Sequence, residues 1–157
     1  MVKMIMHGCN GAMGQVISKI VEEDENITIA AGIDVNDTIQ NSYPVFPSLE
    51  ACTVEADVIV DFASAKAVNG LLSYCSEKRI PVVVCTTGLS EEQIQLVEET
   101  SRQVAVLRSA NMSLGINLLL KLVKEAAEVL AESGFDIEIL EKHHNKTVSY
   151  THLTLPT

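Results

Sequence analysis

Short apolar runs alternate with helix-like apolar stripes over the first two thirds of the chain. The runs predict strands at Val2–His7, Ile27–Ile33, Asp57–Phe62, Ile80–Cys85 and Val104–Leu107. The first stripe has helical spacing, and the residues expected on its buried face are Met13, Val16, Ile17, Ile20 and Val21. Because short strands alternate with helices, the pattern predicts an α/β fold built on a doubly wound parallel sheet.

Two serines stand where further helices are expected to begin. Ser64 is expected to cap a helix whose apolar stripe consists of Val68, Leu71, Leu72 and Cys75. Ser90 and Gln93 have the spacing of a capping box for the next helix. The segment from Asp37 to Pro47 is polar and contains proline, so we expect it to be a connection.

The pattern changes after Ser109. Leucine, valine and alanine at helical spacing predict one long helix, for which Gly134 is a natural stop. Phe135–Leu140 is then expected to form a new strand. These changes predict a dinucleotide-binding domain over residues 1–112 and the beginning of a second domain over residues 113–146.

Composition and charge narrow the classes of partner. The 157 residues include 11 Lys and Arg against 21 Asp and Glu, a formal net charge of −10. Nucleic-acid binding needs clustered basic residues, so nucleic acid is not expected as a partner. No apolar run approaches the length that crosses a bilayer, and the four cysteines form no C-x-x-C pair. We therefore expect a reduced, cytoplasmic protein with no membrane partner and no metal site.

A glycine-rich turn follows the first predicted strand. Gly8, Gly11 and Gly14 form a G-x-x-G-x-x-G pattern at the start of a helix, where backbone N–H groups can meet a pyrophosphate. Asn10 replaces the usual middle glycine and tolerates a left-handed backbone better than most residues. Asp34 follows 20 residues later, where a carboxylate accepts hydrogen bonds from ribose hydroxyls and repels a 2′-phosphate. The pattern indicates a Rossmann-like site that favours NADH over NADPH; a packing turn and a solvated loop Asp are the alternatives.

Polar segments also follow the later strands. Residues 85–88 and 109–113 lie at the carboxyl ends of predicted parallel strands, where open α/β sheets bind ligands. Ordinary helix caps would have the same composition. Residues 141–146 place His143 and His144 beside lysines, which can supply a proton donor and an anion site. A solvated pair of histidines is the alternative there.

Together these motifs resemble one family, 4-hydroxy-tetrahydrodipicolinate reductase (dihydrodipicolinate reductase) of bacterial lysine and diaminopimelate biosynthesis. The resemblance extends from Met1 to about Lys146. The segments that carry it are residues 8–14 (GCNGAMG), 61–62 (DF), 86–88 (TTG), 109–117 (SANMSLGIN) and 136–144 (DIEILEKHH). Several independent motifs occur in the family's order.

The resemblance implies an oxidoreductase that reduces 4-hydroxy-tetrahydrodipicolinate to tetrahydrodipicolinate with NADH or NADPH. It further implies a substrate domain of mixed α+β structure that assembles a homotetramer, and a small dicarboxylate as substrate. His143 matches the family's proton donor and acceptor, and His144 matches a residue that binds the substrate. The positions that match cofactor contacts are Gly8, Cys9, Asn10, Gly11, Ala12, Met13, Asp34, Cys85, Thr86, Thr87, Ser109, Ala110, Asn111 and Met112.

The chain departs from the family at several positions. Cys85 stands where glycine is usual, and Ala12 stands where many members have arginine. Thr147 occupies the position of the family's catalytic lysine, and Lys146 lies one residue too early, where its side chain would point elsewhere. Residues 147–157 do not resemble the loop that follows in the family. We expect this tail to be non-native and the chain itself to be an inactive fragment.

Two other functions fit parts of the pattern. One is another nicotinamide-dependent reductase, such as a relative of homoserine or aspartate-semialdehyde dehydrogenase. The other is a non-catalytic dinucleotide-binding sensor, which an eroded catalytic position would permit. Dipicolinate-type ligands discriminate between these alternatives, because a complete reductase of this family binds them and a sensor does not.

Overall fold

The computed structural model describes residues 1–138 and Leu140. It divides into two compact units, residues 1–110 and residues 111–157. The strands of the first unit are β1 (Val2–His7), β2 (Ile27–Ile33), β3 (Val45–Phe46), β4 (Val58–Asp61), β5 (Val82–Val84) and β6 (Val106–Arg108). Its helices are α1 (Ala12–Glu22), α2 (Val68–Lys78), which follows a 3₁₀ turn at Ala65–Ala67, and α3 (Glu91–Ser101).

The six strands of the first unit form one parallel sheet in the order β3-β2-β1-β4-β5-β6. This confirms the predicted doubly wound fold. The chain leaves β1 in one direction to build β2 and β3, and in the other to build β4, β5 and β6. Where the order reverses, between β1 and β4, a crevice opens at the carboxyl ends of the strands.

Each face of the sheet is covered by its own apolar core. Ile5 and Ile59 project into one core, with Leu71 and Leu72 of α2 and Val97 of α3. The other core contains the alternate residues of β1, Met4 and Met6, with Ile17 and Val21 of α1 packed against them. The period of two along β1 thus divides its side chains between two helical layers.

The stripe predicted for α1 was partly wrong. Met13, Val16 and Ile20 are 48%, 49% and 61% exposed, whereas the buried residues of the helix are Gly14 and Ser18. The small residues bring α1 close to the glycine-rich turn and to Tyr43, whose hydroxyl lies 2.7 Å from Ser18 Oγ. This close approach turns part of the apolar stripe toward solvent.

The helices after β4 agree more closely with the predictions from the sequence. The buried residues of α2 are the predicted Val68, Leu71, Leu72 and Cys75. The capping box is confirmed, because Ser90 Oγ accepts from Gln93 N and Gln93 Oε1 accepts from Ser90 N. Ser64 was wrongly expected to cap with its side chain, since it precedes the 3₁₀ turn and makes no such bond.

Two strand predictions were wrong. β3 lies within the segment from Asp37 to Pro47, for which the sequence predicts a connection. It pairs with β2 through the register Gly32–Val45 and Ile33–Phe46. Conversely, residues 135–138 and Leu140 are not in a strand. A strand forms only beside a partner, and the part of the second unit that the structure describes contains no other strand.

The second unit contains helix α4 (Leu114–Glu132). Ser113 caps it by accepting a hydrogen bond from Ile116 N at 3.3 Å, and the chain leaves it before Gly134, whose φ is +82°. The predicted apolar stripe is present but not buried, with Leu118, Leu119 and Leu122 each more than half exposed. Among the described residues, no helix is long and apolar enough to span a membrane.

Candidate dinucleotide site

The glycine-rich turn has a fixed backbone path. Gly8 has φ of +81°, and a Cβ on it would lie 2.8 Å from the backbone of Ala63. Gly11 N donates to Gly8 O at 3.1 Å and closes the turn. Helix α1 begins directly afterwards with Gly11 at its N-cap, and no side chain caps it. This is the arrangement in which helix N–H groups can donate hydrogen bonds to an anionic ligand.

Asn10 has a different role from the one expected. Among the described non-glycine residues only Arg79 has a positive φ, so Asn10 does not adopt the left-handed conformation. Instead its side-chain amide donates to Asn36 O, and its Oδ1 accepts from Asn41 Nδ2 at 2.8 Å. Asn10 therefore ties the turn to the loop that follows β2.

Asp34 lies at the same edge of the sheet, directly after β2. Its Oδ2 accepts from Asn10 N and its Oδ1 accepts from Asn36 N, each at 2.9 Å. A carboxylate oxygen has two acceptor positions, so each oxygen of Asp34 retains one for a ligand hydroxyl. The next residue, Val35, is 92% exposed and offers no positive charge to a 2′-phosphate.

A cavity of about 450 Å³ lies at the carboxyl ends of β1, β2 and β4. Gly8, Gly11 and Asp34 form part of its wall, and Val35 and Ala63 lie beside them. Leu71 and Gly70 of α2 belong to the lining as well. Its polar and apolar walls fit a nucleoside, which has a flat base and a sugar with adjacent hydroxyls.

A buried carboxylate lies between the first and fourth strands. Asp61 is fully buried at the end of β4, and its Oδ1 is 2.8 Å from His7 Nδ1 and accepts from Ala63 N at 3.1 Å. Its Oδ2 accepts from Thr86 Oγ1 at 2.7 Å. The network connects the carboxyl ends of β1, β4 and β5, and therefore fixes the position of Thr86.

The remaining predicted cofactor residues of the first unit surround this edge. Cys9 and Cys85 are buried, and burial raises the pKa of each thiol to about 11, so both remain neutral. Ala12 and Met13 are exposed in the first turn of α1, and Thr87 is half-buried after Thr86. Ser109 and Ala110 follow β6, with Ser109 N bonded to Val84 O at 3.1 Å.

The other predicted residues belong to the second unit. Asn111 and Met112 are exposed there, and Asn111 Oδ1 accepts from Ser113 N at 2.8 Å just before α4. His143, His144 and Thr147 lie outside the described residues. Within the described part of the chain, no group of three or more His, Cys, Asp or Glu side chains could hold a metal ion.

Sequence reasoning missed the role of His7 and the hydrogen-bond partners of the turn. Gln15 Nε2 donates both to Cys9 O, at 3.0 Å, and to Asn41 Oδ1, at 2.9 Å. A local sequence pattern does not predict a hydrogen bond between residues 26 positions apart, such as Gln15 and Asn41. An available signal was the polar end of two apolar strands, where His7 and Asp61 follow β-type runs.

Comparison with known proteins agrees with the geometry. The family model described as dihydrodipicolinate reductase, N-terminus, matches residues 2–112, and its C-terminal counterpart matches residues 115–151. A 4-hydroxy-tetrahydrodipicolinate reductase of Caldanaerobacter subterraneus is 50% identical over 145 residues, which are 92% of this chain and 57% of that protein. The Clostridium tetani protein of the same name is 44% identical over 94% of this chain and 58% of its own length. The chain thus spans somewhat over half the length of these relatives.

Solved structures show the same architecture. A dipicolinate-bound dihydrodipicolinate reductase from a Paenisporosarcina species has a TM-score of 0.69 at 26% identity, over 81% of this chain and 54% of that one. An S. aureus homoserine dehydrogenase has a TM-score of 0.56 at 17% identity, over 68% and 31% of the two chains, and shares the fold alone. Both family models and the relatives at 44–50% identity place this chain in the dihydrodipicolinate reductase family.

Proposed function

We propose that the first unit binds a nicotinamide dinucleotide, NADH in preference to NADPH, for the reduction of 4-hydroxy-tetrahydrodipicolinate to tetrahydrodipicolinate by the whole protein. The observation that carries the proposal is the cavity shared by Gly8, Gly11 and Asp34. The reaction in this proposal is the one for which the family of this chain is named. The soluble pathway enzyme would be cytoplasmic and would act on a small dicarboxylate as a homotetramer.

The cofactor half of the proposal follows from the hydrogen bonds of the turn. The uncapped N-terminus of α1 would hold the pyrophosphate, with Ala12 and Met13 presenting the first helical N–H groups. Asp34 would accept the ribose hydroxyls through the acceptor positions that its two backbone bonds leave open. The side chain of Asn10 holds the turn against the loop after β2, and the Cys9 thiol stays neutral beside them.

The nicotinamide half would lie at the ends of β5 and β6. Asp61 fixes Thr86, which lies between Cys85 and Thr87 at the edge of the sheet. Ser109 and Ala110 follow the next strand, and we assign Asn111 and Met112 of the second unit to the same cofactor. The bound cofactor supplies hydride. The residues of this edge would orient it and exclude water.

The acid–base residues belong to the second domain, which we assign to residues 113–146. His143 would hold the proton that the reduced substrate takes up, and His144 would bind a substrate carboxylate. Thr147 has no ionisable group to replace the family's lysine. We therefore expect the 157-residue chain to bind NADH and to show no useful turnover.

The first test is the affinity of the chain for NADH and NADPH by isothermal titration calorimetry. The Asp34→Ala variant removes the charged acceptor and should weaken NADH roughly 10- to 100-fold, since hydrogen bonds to charged groups contribute about 1.5–3 kcal/mol. NADPH should lose less, because the repulsion of its 2′-phosphate is removed as well. Asp37→Ala is the matched control, since it removes an exposed carboxylate from the same loop.

Two results would contradict the proposal. One is a chain that binds neither dinucleotide. The other is an Asp34→Ala variant with an unchanged ratio of NADH to NADPH affinity, which would remove Asp34 from the ribose site. Binding of a dipicolinate-type dicarboxylate by a whole protein of the length of the relatives would distinguish a reductase from a dinucleotide sensor.

A further inference from the structure

His7 ends β1 directly before the glycine-rich turn, and its contact described so far is the one between Nδ1 and Asp61. It is 8% exposed and lies in the lining of the cavity that contains Asp34. Its Cα is paired with that of Asp61 in the register between β1 and β4. A histidine at this position is therefore both anchored in the sheet and in contact with the cavity.

The buried carboxylate of Asp61 determines which ring nitrogen of His7 carries the hydrogen. Oδ1 of Asp61 accepts from Ala63 N, and Oδ2 accepts from Thr86 Oγ1. A carboxylate that accepts at both oxygens also accepts from the imidazole, so His7 Nδ1 donates to Oδ1 at 2.8 Å. In the neutral ring, Nε2 is then a hydrogen-bond acceptor.

The Nε2 atom of His7 is open to a ligand. The hydrogen bond of the ring is made through Nδ1. Among the described residues, every side-chain nitrogen or oxygen that is cut off from solvent has a partner. Nε2 is without one, so it has accessible surface, and the cavity is the space that His7 lines.

We propose that His7 Nε2 accepts a hydrogen bond from the adenosine part of the dinucleotide, either a ribose hydroxyl or the 6-amino group of adenine. The assignment rests on the proposed function. The adenosine half is chosen because the cavity contains Gly8, Gly11 and Asp34, whereas Thr87 and Ser109 are not part of its lining. Asp61 is the positioning residue that keeps Nε2 an acceptor.

Ser48, Glu50 and Ser64 also line the cavity, and the two acceptors assigned here to the adenosine are His7 Nε2 and the Asp34 carboxylate. Both match donors of an unmodified adenosine, which has hydroxyl and amino hydrogens. Neither offers a hydrogen to a 2′-phosphate. His7 would therefore add to the preference for NADH that Asp34 creates.

The matched variant is His7→Asn. The Nδ2 of asparagine is one bond from Cγ, as Nδ1 is in histidine, so the variant can keep the donor to Asp61 while it removes Nε2. Because a neutral hydrogen bond contributes about 0.5–1.5 kcal/mol, NADH should bind roughly three- to tenfold more weakly. The urea midpoint of unfolding should stay close to that of the parent chain. His7→Phe removes both bonds, and it should also lower that midpoint.

Ligand analogues locate the contact. ADP-ribose lacks nicotinamide and should lose affinity for His7→Asn by the same factor as NADH. Reduced nicotinamide hypoxanthine dinucleotide has a carbonyl oxygen in place of the 6-amino group. If the amino group is the donor, this analogue should bind His7→Asn and the parent equally; if a ribose hydroxyl is the donor, it should lose as much as NADH does.

A second measurement uses the parent chain alone. In ¹⁵N NMR at about pH 8, His7 should show a protonated Nδ1 and an unprotonated Nε2. The Nε2 resonance, assigned by its absence in His7→Asn, should move upfield on saturation with NADH or ADP-ribose.

Three outcomes would overturn the inference. They are unchanged NADH affinity in His7→Asn, a loss seen with NADH but not with ADP-ribose, and an Nε2 resonance that NADH does not move. In each of these the parent chain still binds NADH, so the proposed function survives. A parent chain without NADH affinity would instead remove both proposals.

Discussion

Gly14 and Gly70 provide a matched test of the glycine-rich turn. Each is the third residue of an eleven-residue helix, Gly14 in α1 and Gly70 in α2. A Cβ on Gly14 would lie 2.3 Å from Gly8 O and 2.6 Å from Cys9 O, whereas a Cβ on Gly70 would meet no atom within 4 Å. The two alanine variants therefore share the gain in helix propensity and differ in the clash.

The expected magnitudes follow from these distances. Ordinary contacts of a Cβ begin at 3.4 Å, so the backbone of the turn would have to move by about 1 Å. Overpacking of this kind costs about 1–3 kcal/mol, and a lost hydrogen bond adds about 0.5–1.5 kcal/mol. Against a propensity gain of about 1 kcal/mol, Gly14→Ala should lower the free energy of unfolding by about 2 kcal/mol. Gly70→Ala should raise it by about 0.5–1 kcal/mol.

Urea and thermal unfolding followed by far-ultraviolet circular dichroism measure both changes. At about 2–4 °C per kcal/mol, the melting temperatures of the two variants should differ by roughly 5–12 °C. Gly14→Ala should also bind NADH more weakly, because the displaced carbonyl of Gly8 accepts the bond that closes the turn. A Gly14→Ala chain as stable as Gly70→Ala would refute the argument from close approach.

Three further outcomes follow from caps and burial. Ser90→Ala should lower the free energy of unfolding by about 1 kcal/mol and Ser90→Thr by less, measured by urea titration, because only threonine retains a hydroxyl to cap α3. Iodoacetamide with peptide mass mapping should modify the half-buried Cys52 before the buried Cys9, Cys75 and Cys85; equal rates would contradict the burial. The pKa of Cys75 is raised to about 12, and that of Cys9 and of Cys85 to about 11, above the value of 9.0 expected in the unfolded chain. The stability that burial of the neutral thiols contributes is fully present below pH 9.0 and is lost as the pH rises from there through the folded values, so the urea midpoint should be lower at about pH 11 than at about pH 8.

Local chemistry in the sequence was enough to predict the elements that depend on near neighbours. The buried face of α2 follows from apolar residues at helical spacing, and the capping box of α3 follows from Ser90 and Gln93. Both involve residues within a few turns of the same helix. The parallel sheet was predictable for a related reason, because alternating strands and helices permit few other topologies.

Contacts between distant segments limited the prediction. The exposure of Met13 and Val16 results from the approach of α1 to Tyr43 and the turn, which no stripe reveals. β3 is two residues long, too short for an apolar pattern, and exists because Gly32 and Ile33 of β2 offer it a partner. The sequence predicts a role for the backbone of Asn10, whereas the structure shows hydrogen bonds of its side chain to residues 26 and 31 positions away.

The strand order explains why a carboxylate can be buried at this site. His7 and Asp61 are 54 residues apart in the chain, but β1 and β4 are neighbours where the order of the sheet reverses. A crevice for a ligand opens at such a point. Polar side chains at the strand ends beneath the crevice adjoin the apolar core, and burial of a polar group without hydrogen bonds is costly. The bonds to His7, Ala63 and Thr86 satisfy Asp61 from within the protein. Because these bonds occupy the Asp61 carboxylate, a ligand at this edge would be met by other acceptors, among them the open positions of Asp34 and the far nitrogen of His7.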